Sequence, residues 1–280
     1  MNFNNFKLPI NYGPTKSVAL FTNARDEKNI KEWVAHHLLI GFDKIIIFDH
    51  KSILPLKNVF QNFDNRVTII DAKHYEKNVK LTLMNVAAKI AKKLKVDWFI
   101  YLDADEFLIL SNQFIGVKHF LNHYNNAYSL AVNWLVFGSN NHVKEPEGLI
   151  LENYTKSEIN LDKHVKSFVR PSEVIKANNP HYYVIQNPNR MFGINRRLTE
   201  PFYFNNININ YSIAPAYIAH YINQSEETYL KRKINLPTDD TGVFRNNDVK
   251  NIHNNSNSHE NLFPKNKYSG NVKKFLESKV

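Results

Sequence analysis

Three carboxylates crowd into four positions at Asp103-Ala104-Asp105-Glu106, directly behind the apolar run Trp98-Phe99-Ile100-Tyr101-Leu102. Acidic groups held this close repel one another unless a cation neutralises them. The pattern therefore points to a divalent metal bound through oxygen ligands. The apolar run reads as a strand buried on both faces, of the kind found inside a parallel sheet. Asp103, Asp105 and Glu106 then sit where that strand ends, and in open α/β sheets ligands bind just beyond the carboxyl ends of the strands. The plainer alternative is an acidic turn that caps the following helix.

The elements that must position these carboxylates can be read from the hydrophobic pattern. Residues 17–22 form an apolar strand, and the polar turn Asn23-Ala24-Arg25-Asp26-Glu27 follows it. Residues 27–40 read as a helix whose stripe is Ile30, Trp33, Val34, His37 and Leu38, with Asp26 or Asn23 as its cap and Gly41 as its stop. Residues 44–49 are a second strand, so the spacing predicts a βαβ unit with parallel strands. A shorter strand at 66–70 and a helix at 79–94 lead into the strand that carries the acidic cluster. The expected fold class is α/β: residues 15–110 form a Rossmann-like nucleotide-binding half around a mostly parallel sheet.

Residues 111–235 form a smaller mixed half of the same domain, which spans 1–235. It has a helix at 113–124, strands at 128–137, 165–170, 182–186 and 217–221, and a helix from the Ser225 cap to about 234. Residues 236–280 read as a polar, Asn-rich tail, mobile or ordered only on binding. Neither Gly-x-Gly-x-x-Gly nor a Walker motif is present. Phosphates must be held by other means, and a metal on Asp103 and Asp105 would serve.

Composition narrows the classes further. The 280 residues are 43% hydrophobic, enough for a sizeable core. The net charge of +10 allows a polyanionic partner, yet the lysines are scattered and form no dense basic run, which argues against a nucleic-acid binder. There are no cysteines, which removes disulfides, thiolate nucleophiles and sulfur-ligated zinc together. No apolar run approaches the roughly 20 residues that span a bilayer, and the polar first residues lack a signal-peptide core. A cytoplasmic location is the expectation.

An ordered series of motifs resembles the glycosyltransferase family 2-like and family 92 group, sugar transferases of the GT-A fold. The series begins with Thr22-Asn23-Ala24-Arg25-Asp26-Glu27, Glu32-Trp33-Val34-Ala35-His36-His37, Gly41-Phe42-Asp43 and Phe48-Asp49-His50-Lys51-Ser52. It continues with residues 97–107, Asn133-Trp134-Leu135-Val136-Phe137-Gly138-Ser139 and Gly148-Leu149-Ile150. Lys166 with Pro171, His181-Tyr182, and His220-Tyr221 with Ser225 and Lys231 complete it. The resemblance covers about residues 17–235.

The resemblance implies an enzyme of hexosyltransferase type. It would move a sugar from a nucleotide-diphosphate sugar, a UDP-sugar by preference, to an acceptor hydroxyl, with inversion. Manganese or magnesium would bridge the Asp-x-Asp carboxylates and the diphosphate, with Asp105 in direct contact and Asp103 on the metal, its water or the ribose. Thr22, Asn23, Arg25, Asp26 and Glu27 would lie along the nucleotide together with Ala104, Arg25 reaching the diphosphate. Asp49 would accept from the base ring, and His220 would complete the metal shell. Asp26 and Asp49 read equally well as turn residues, and His220 as a packed core histidine.

Glu106 either orients the sugar or caps the next helix. Trp134, Phe137, Gly138 and His142 would form the acceptor side, with Trp134 reading equally well as core. Asp240 or Asp239 is the base that takes the acceptor proton, ahead of Glu145 and Glu147. His36 and His37 read as structural. Two other classes fit less well: a non-catalytic nucleotide- or carbohydrate-binding module on the same fold, and a metal-dependent nucleotidyltransferase.

Overall fold

The computed structural model describes residues 13–195, 198, 205, 207–236, 243–244 and 256–279. Strands β1 (Val18–Ala24), β2 (Lys44–Asp49), β3 (Val67–Asp71) and β4 (Trp98–Tyr101) form the first half of the main sheet. All pair in parallel in the order β3-β2-β1-β4, with Phe21 opposite both Ile46 and Tyr101. Helix α1 (Ile30–Leu39) links β1 to β2, a short helix α2 (Leu56–Val59) precedes β3, and α3 (Val79–Leu94) links β3 to β4. The expected α/β fold with a parallel first half is therefore present.

Alternation along β1 explains the two cores. Val18 and Leu20 face the layer that holds Trp33, Val34 and Leu38 of α1. Ala19 and Phe21 face the layer that holds Leu83, Met84 and Ala87 of α3. Trp98, Phe99, Ile100 and Tyr101 of β4 are at most 2% exposed, as a strand covered on both faces requires.

The chain then departs from expectation. Glu106 caps no helix. It begins strand β5 (Glu106–Leu110), so the acidic cluster is the turn between β4 and β5. A helix appears only at α4 (Val117–Asn122), shorter than the 113–124 expected.

Strand β6 (Ser129–Val136) is followed by helix α5 (Ile150–Asn153), strands β7 (Lys156–Ser157), β8 (Val165–Val169), β9 (Val174–Asn179), β10 (Tyr182–Ile185), β11 (Met191–Gly193) and β12 (Ala216–His220), and then helix α6 (Glu226–Tyr229). The main sheet continues β4-β8-β6-β12-β5, with β11 beside β6. Among the described strands of this sheet, only β8 and β5 run against the others. Because β8 is reversed, its first residues lie at the edge where the parallel strands end.

Strand β5 is the last in the sheet, and an exposed strand edge must be covered. The motif Trp33-Val34-Ala35-His36-His37 does this with side chains. Trp33 Nε1 donates to Glu106 O at 2.7 Å, and His36 Nε2 pairs with Leu108 O at 2.8 Å. Leu108 N donates to His37 Nε2 at 3.2 Å, whose Nδ1 is satisfied by Trp33 O at 2.8 Å. Burial pushes the His36 imidazole down to about 4 and that of His37 well below its ordinary value, so both are neutral.

The rest of that edge is closed by the segment expected as a mobile tail. Strand β13 (His259–Glu260) pairs with β7, a π-helical turn spans Lys265–Ser269, and helix α7 (Gly270–Glu277) packs on α1. Tyr268 hydroxyl meets Leu110 N and O at 3.1 Å, and Lys267 Nζ donates to Leu110 O and Ser111 O at 2.8 and 2.9 Å. Tyr268, Val272, Phe275 and Leu276 recur at helical spacing on one face, which outweighs the polar composition of the stretch. Neither Asn23 nor Asp26 caps α1, whose N-cap residue is Asn29.

Glu32 provides a test of this packing. It is 3% exposed, and its carboxylate accepts from Ile150 N at 2.7 Å and Leu151 N at 2.9 Å. Burial pushes its carboxyl up from 4.5 to about 7, against the smaller lowering by those two N–H groups. Folding therefore favours the protonated form. The contribution to stability is fully present below pH 4.5 and is lost as pH rises to about 7, each pH unit in that window being worth about 1.4 kcal/mol. Glu32→Gln should lose less stability than wild type between about pH 5 and pH 7 in guanidinium melts. Equal losses in the two proteins would contradict the assignment.

Candidate functional site

One edge of the sheet gathers the chemistry. β1 ends at Asn23 and Ala24, β4 at the Asp103–Asp105 turn and β12 at His220, while Trp134 lies near the end of β6. The reversed strand β8 brings Lys166 to the same edge, and α3 brings Lys80 from its first turn. These residues line an open cavity of about 350 Å³, whose other wall is the segment after Ser225, with Arg232, Lys233 and Leu236. Arg25, Glu27, Ala104 and His181 complete the parts that carry charge or hydrogen-bonding groups.

Asp103 is clasped by two ammonium groups. Lys80 Nζ sits against its Oδ1, and Lys166 Nζ lies 3.1 Å from its Oδ2. Lys166 is itself 1% exposed and also reaches Glu106 Oε2 at 3.4 Å. Glu106 is fully buried behind the turn, where its Oε2 accepts the Asp103 backbone N–H at 2.9 Å. Burial pushes the Glu106 carboxyl up to about 7, with Lys166 pulling the other way.

Asp105 faces the other wall. Its Oδ2 lies 3.4 Å from Arg232 and 3.6 Å from Lys233, and Arg232 also bridges to Glu27 Oε1 at 2.8 Å. Burial alone would raise the Asp105 carboxyl, but Lys233 and Arg232 hold it well below the usual carboxylate range. Its Oδ1 faces His220 Nε2 at 3.7 Å, too far for a hydrogen bond. Burial pushes the His220 imidazole down to about 3 in spite of Asp105, so it presents a neutral ring.

The expected residues divide accordingly. Asn23, Arg25, Glu27, Asp103, Ala104, Asp105, Trp134 and His220 meet in the cavity. Thr22 does not: it is fully buried, with its hydroxyl on Asn23 O at 3.2 Å. Asp26 adopts a left-handed backbone, φ 53°, and its Oδ1 accepts Ile53 N at 2.8 Å. Asp49 accepts Ser52 N and Leu56 N at 3.2 and 2.7 Å, which makes it the turn residue of its plainer reading.

Three of the acceptor-side residues lie outside the lining of this cavity. Phe137 is fully buried against Tyr221, ring centroids 4.6 Å apart. Gly138 holds Lys156 O through its N–H, and a Cβ there would strike the Asn257 side chain. His142 Nε2 is spent on Asn153 O at 3.1 Å. Glu145 Oε2 accepts the hydroxyls of Tyr154, Ser225 and Thr228, and Glu145 does not line the cavity. Asp239 and Asp240 lie outside the described residues.

Lys80, Lys166, His181, Arg232 and Lys233 were assigned no role from sequence. Lys80 had a readable signal, since the first turn of α3 must start at the strand-end edge. Lys166 could be placed only once β8 was known to run backwards.

The chain from 18 to 259 matches the model of glycosyltransferase family 92. It belongs to that family. No curated protein matches the chain. Among solved structures, CMP:2-keto-3-deoxy-manno-octonic acid synthetase complexed with CTP is similar over 56% of this chain and 75% of its own, at 10% identity and TM-score 0.31. A 4-diphosphocytidyl-2C-methyl-D-erythritol synthase is similar over 56% and 76%, at 14% identity and TM-score 0.33. Mannose-1-phosphate geranyltransferase from Thermus thermophilus is similar over 56% and 50%, at 11% identity and TM-score 0.29. Similarity at that level reaches neither the site nor its chemistry. Membership of family 92 makes the chain a glycosyltransferase.

Whether the transferase's residues fit a divalent cation turns on the two aspartates. Among the described residues no three His, Cys, Asp or Glu side chains converge on one point. Asp103 does not fit, since both its oxygens are taken by lysines. Asp105 Oδ1 and the neutral His220 ring do fit: a carboxylate oxygen and an imidazole nitrogen stand side by side with no hydrogen bond between them. A cation there would be held by two side chains, the rest of its shell coming from ligand or water.

The contact between Lys166 and Glu106 can be tested by a double-mutant cycle. Lys166→Met leaves Glu106 buried without its cation and should lower stability, whereas Lys166→Met with Glu106→Gln should recover part of the loss. A coupling on the order of 2 kcal/mol is expected from urea melts. Strict additivity of the two changes would contradict the arrangement.

Proposed function

We propose that the cavity binds a nucleotide-diphosphate sugar, with a UDP-sugar favoured, and transfers the sugar to an acceptor hydroxyl with inversion. The observation that carries this reading is the Asp105–His220 pair set in a wall with surplus positive charge. Arg25, Lys80, Lys166, Arg232 and Lys233 face Glu27, Asp103 and Asp105, which suits an anionic ligand. Manganese or magnesium held by Asp105 and His220 would neutralise the charge that grows on the leaving diphosphate.

The chain's own residues do the remaining work. Asn23, fixed by the Tyr101 hydroxyl at 3.0 Å, and Arg25 line the nucleotide side. Asp103, clasped by Lys80 and Lys166, fixes the β4–β5 turn that carries Asp105 into the cavity. Trp134 stacks with His164 at 5.1 Å and lies 4.3 Å from His220, an aromatic platform for the apolar face of a sugar. Asp240 is our reading for the base. Leu236 lines the cavity and Asp239 and Asp240 follow it within four residues, which supports that choice. The anomeric configuration of the product decides inversion.

Thermal-shift measurements with UDP and GDP, each with and without manganese, test the proposal. UDP with manganese should raise the melting temperature by several degrees, as expected for a ligand well above its dissociation constant. Asp105→Ala should abolish the manganese-dependent part of the shift. No stabilisation by either nucleotide, or a shift unchanged in Asp105→Ala, would overturn it.

A further inference from the structure

The cations around the cavity are mounted in two different ways. Lys80 and Lys166 stand on regular elements, α3 and β8, and both close on Asp103. Arg232 and Lys233 stand on a π-helical turn, Leu230–Ile234, that continues helix α6. Such turns carry looser hydrogen bonding than an α-helix and recur at functional sites. The near end of this segment is pinned: Ser225 Oγ caps Thr228 N at 3.1 Å, and Glu145 takes the Ser225 and Thr228 hydroxyls at 2.7 and 2.6 Å. Further along, Arg232 and Lys233 make charged contacts with Glu27 and Asp105.

Those contacts fall on the carboxylate that also faces His220. A divalent cation on Asp105 would stand within a few ångströms of a guanidinium and an ammonium, and the like charges would repel strongly in a site this buried. A diphosphate offers the displaced side chains several anionic oxygens in the same cavity, and an arginine fork suits such oxygens well. We infer that Arg232 and Lys233 exchange partners: they neutralise Asp105 while the cavity is empty, and grip the diphosphate of a nucleoside diphosphate once Asp105 is engaged by a divalent cation. The inference rests on the proposed function, since it takes the cavity to hold such a ligand. It makes the two residues ligand-binding groups and the π-helical turn their carrier. It also predicts an opposition that no purely structural role would produce, because the same side chains hinder the metal and help the nucleotide.

Calorimetric titrations with manganese alone, and with UDP in the presence of manganese, test the exchange on wild type, Arg232→Gln and Lys233→Gln. Lys231→Gln, an exposed neighbour on the same turn, is the control. Both variants should bind manganese alone several-fold more tightly than wild type and UDP with manganese on the order of tenfold more weakly. The control should match wild type in both titrations. Lys233→Gln leaves the Arg232–Glu27 bridge in place, so it reports even if Arg232→Gln folds poorly. UDP affinity that is unchanged, or manganese and UDP affinities that fall together, would overturn the exchange. Failure of wild type to bind UDP at all would overturn the function proposed for the cavity.

Discussion

Asp105 is 2% exposed and ionised, and a buried carboxylate of this kind must be compensated. Much of the site follows from that requirement. The β4–β5 turn aims the charge at the cavity, β12 brings a neutral imidazole beside one oxygen, and the turn after α6 brings two cations to the other. Glu27, from the turn after β1, then anchors Arg232 from behind. The two halves of the sheet are thus tied by charge as well as by packing.

Asp103 shows the same physics with a different outcome. Its two lysines arrive from elements on either side of the turn, α3 and β8, and Lys166 also serves Glu106. Two aspartates that look equivalent in sequence therefore stand in different surroundings. One is committed to fixed cations, while the other keeps an oxygen beside His220. Family 92 membership fixes the class of chemistry, and this asymmetry suggests which aspartate serves it.

Much of the first half was legible in the sequence. The long apolar runs of β1, β2 and β4 and the amphipathic α3 have unmistakable periods, and they place the acidic turn at the right edge. β5 was less legible, because Phe107-Leu108-Ile109-Leu110 is uniformly apolar and short, and Glu106 before it looks like a cap. The edge-covering task of Trp33, His36 and His37 is invisible without β5. The C-terminal π-helical turn and helix were hidden by composition, since Tyr268, Val272, Phe275 and Leu276 are diluted among Lys and Asn although their spacing is helical.

Within the site, residues next to strand ends were the readable ones, and Asn23, Asp105 and His220 fall there. Phe137 and Gly138 follow β6 as closely, yet the chain turns away to pair with Lys156 and to pack on Tyr221. Nothing local announces that turn. We propose His220 and Asp105 together as the seat of a divalent cation. Pulsed electron paramagnetic resonance of the manganese–UDP complex reads it directly. Nitrogen coupling from one imidazole is predicted in wild type and its loss in His220→Asn, whereas an absent coupling, or one that survives the substitution, would contradict it.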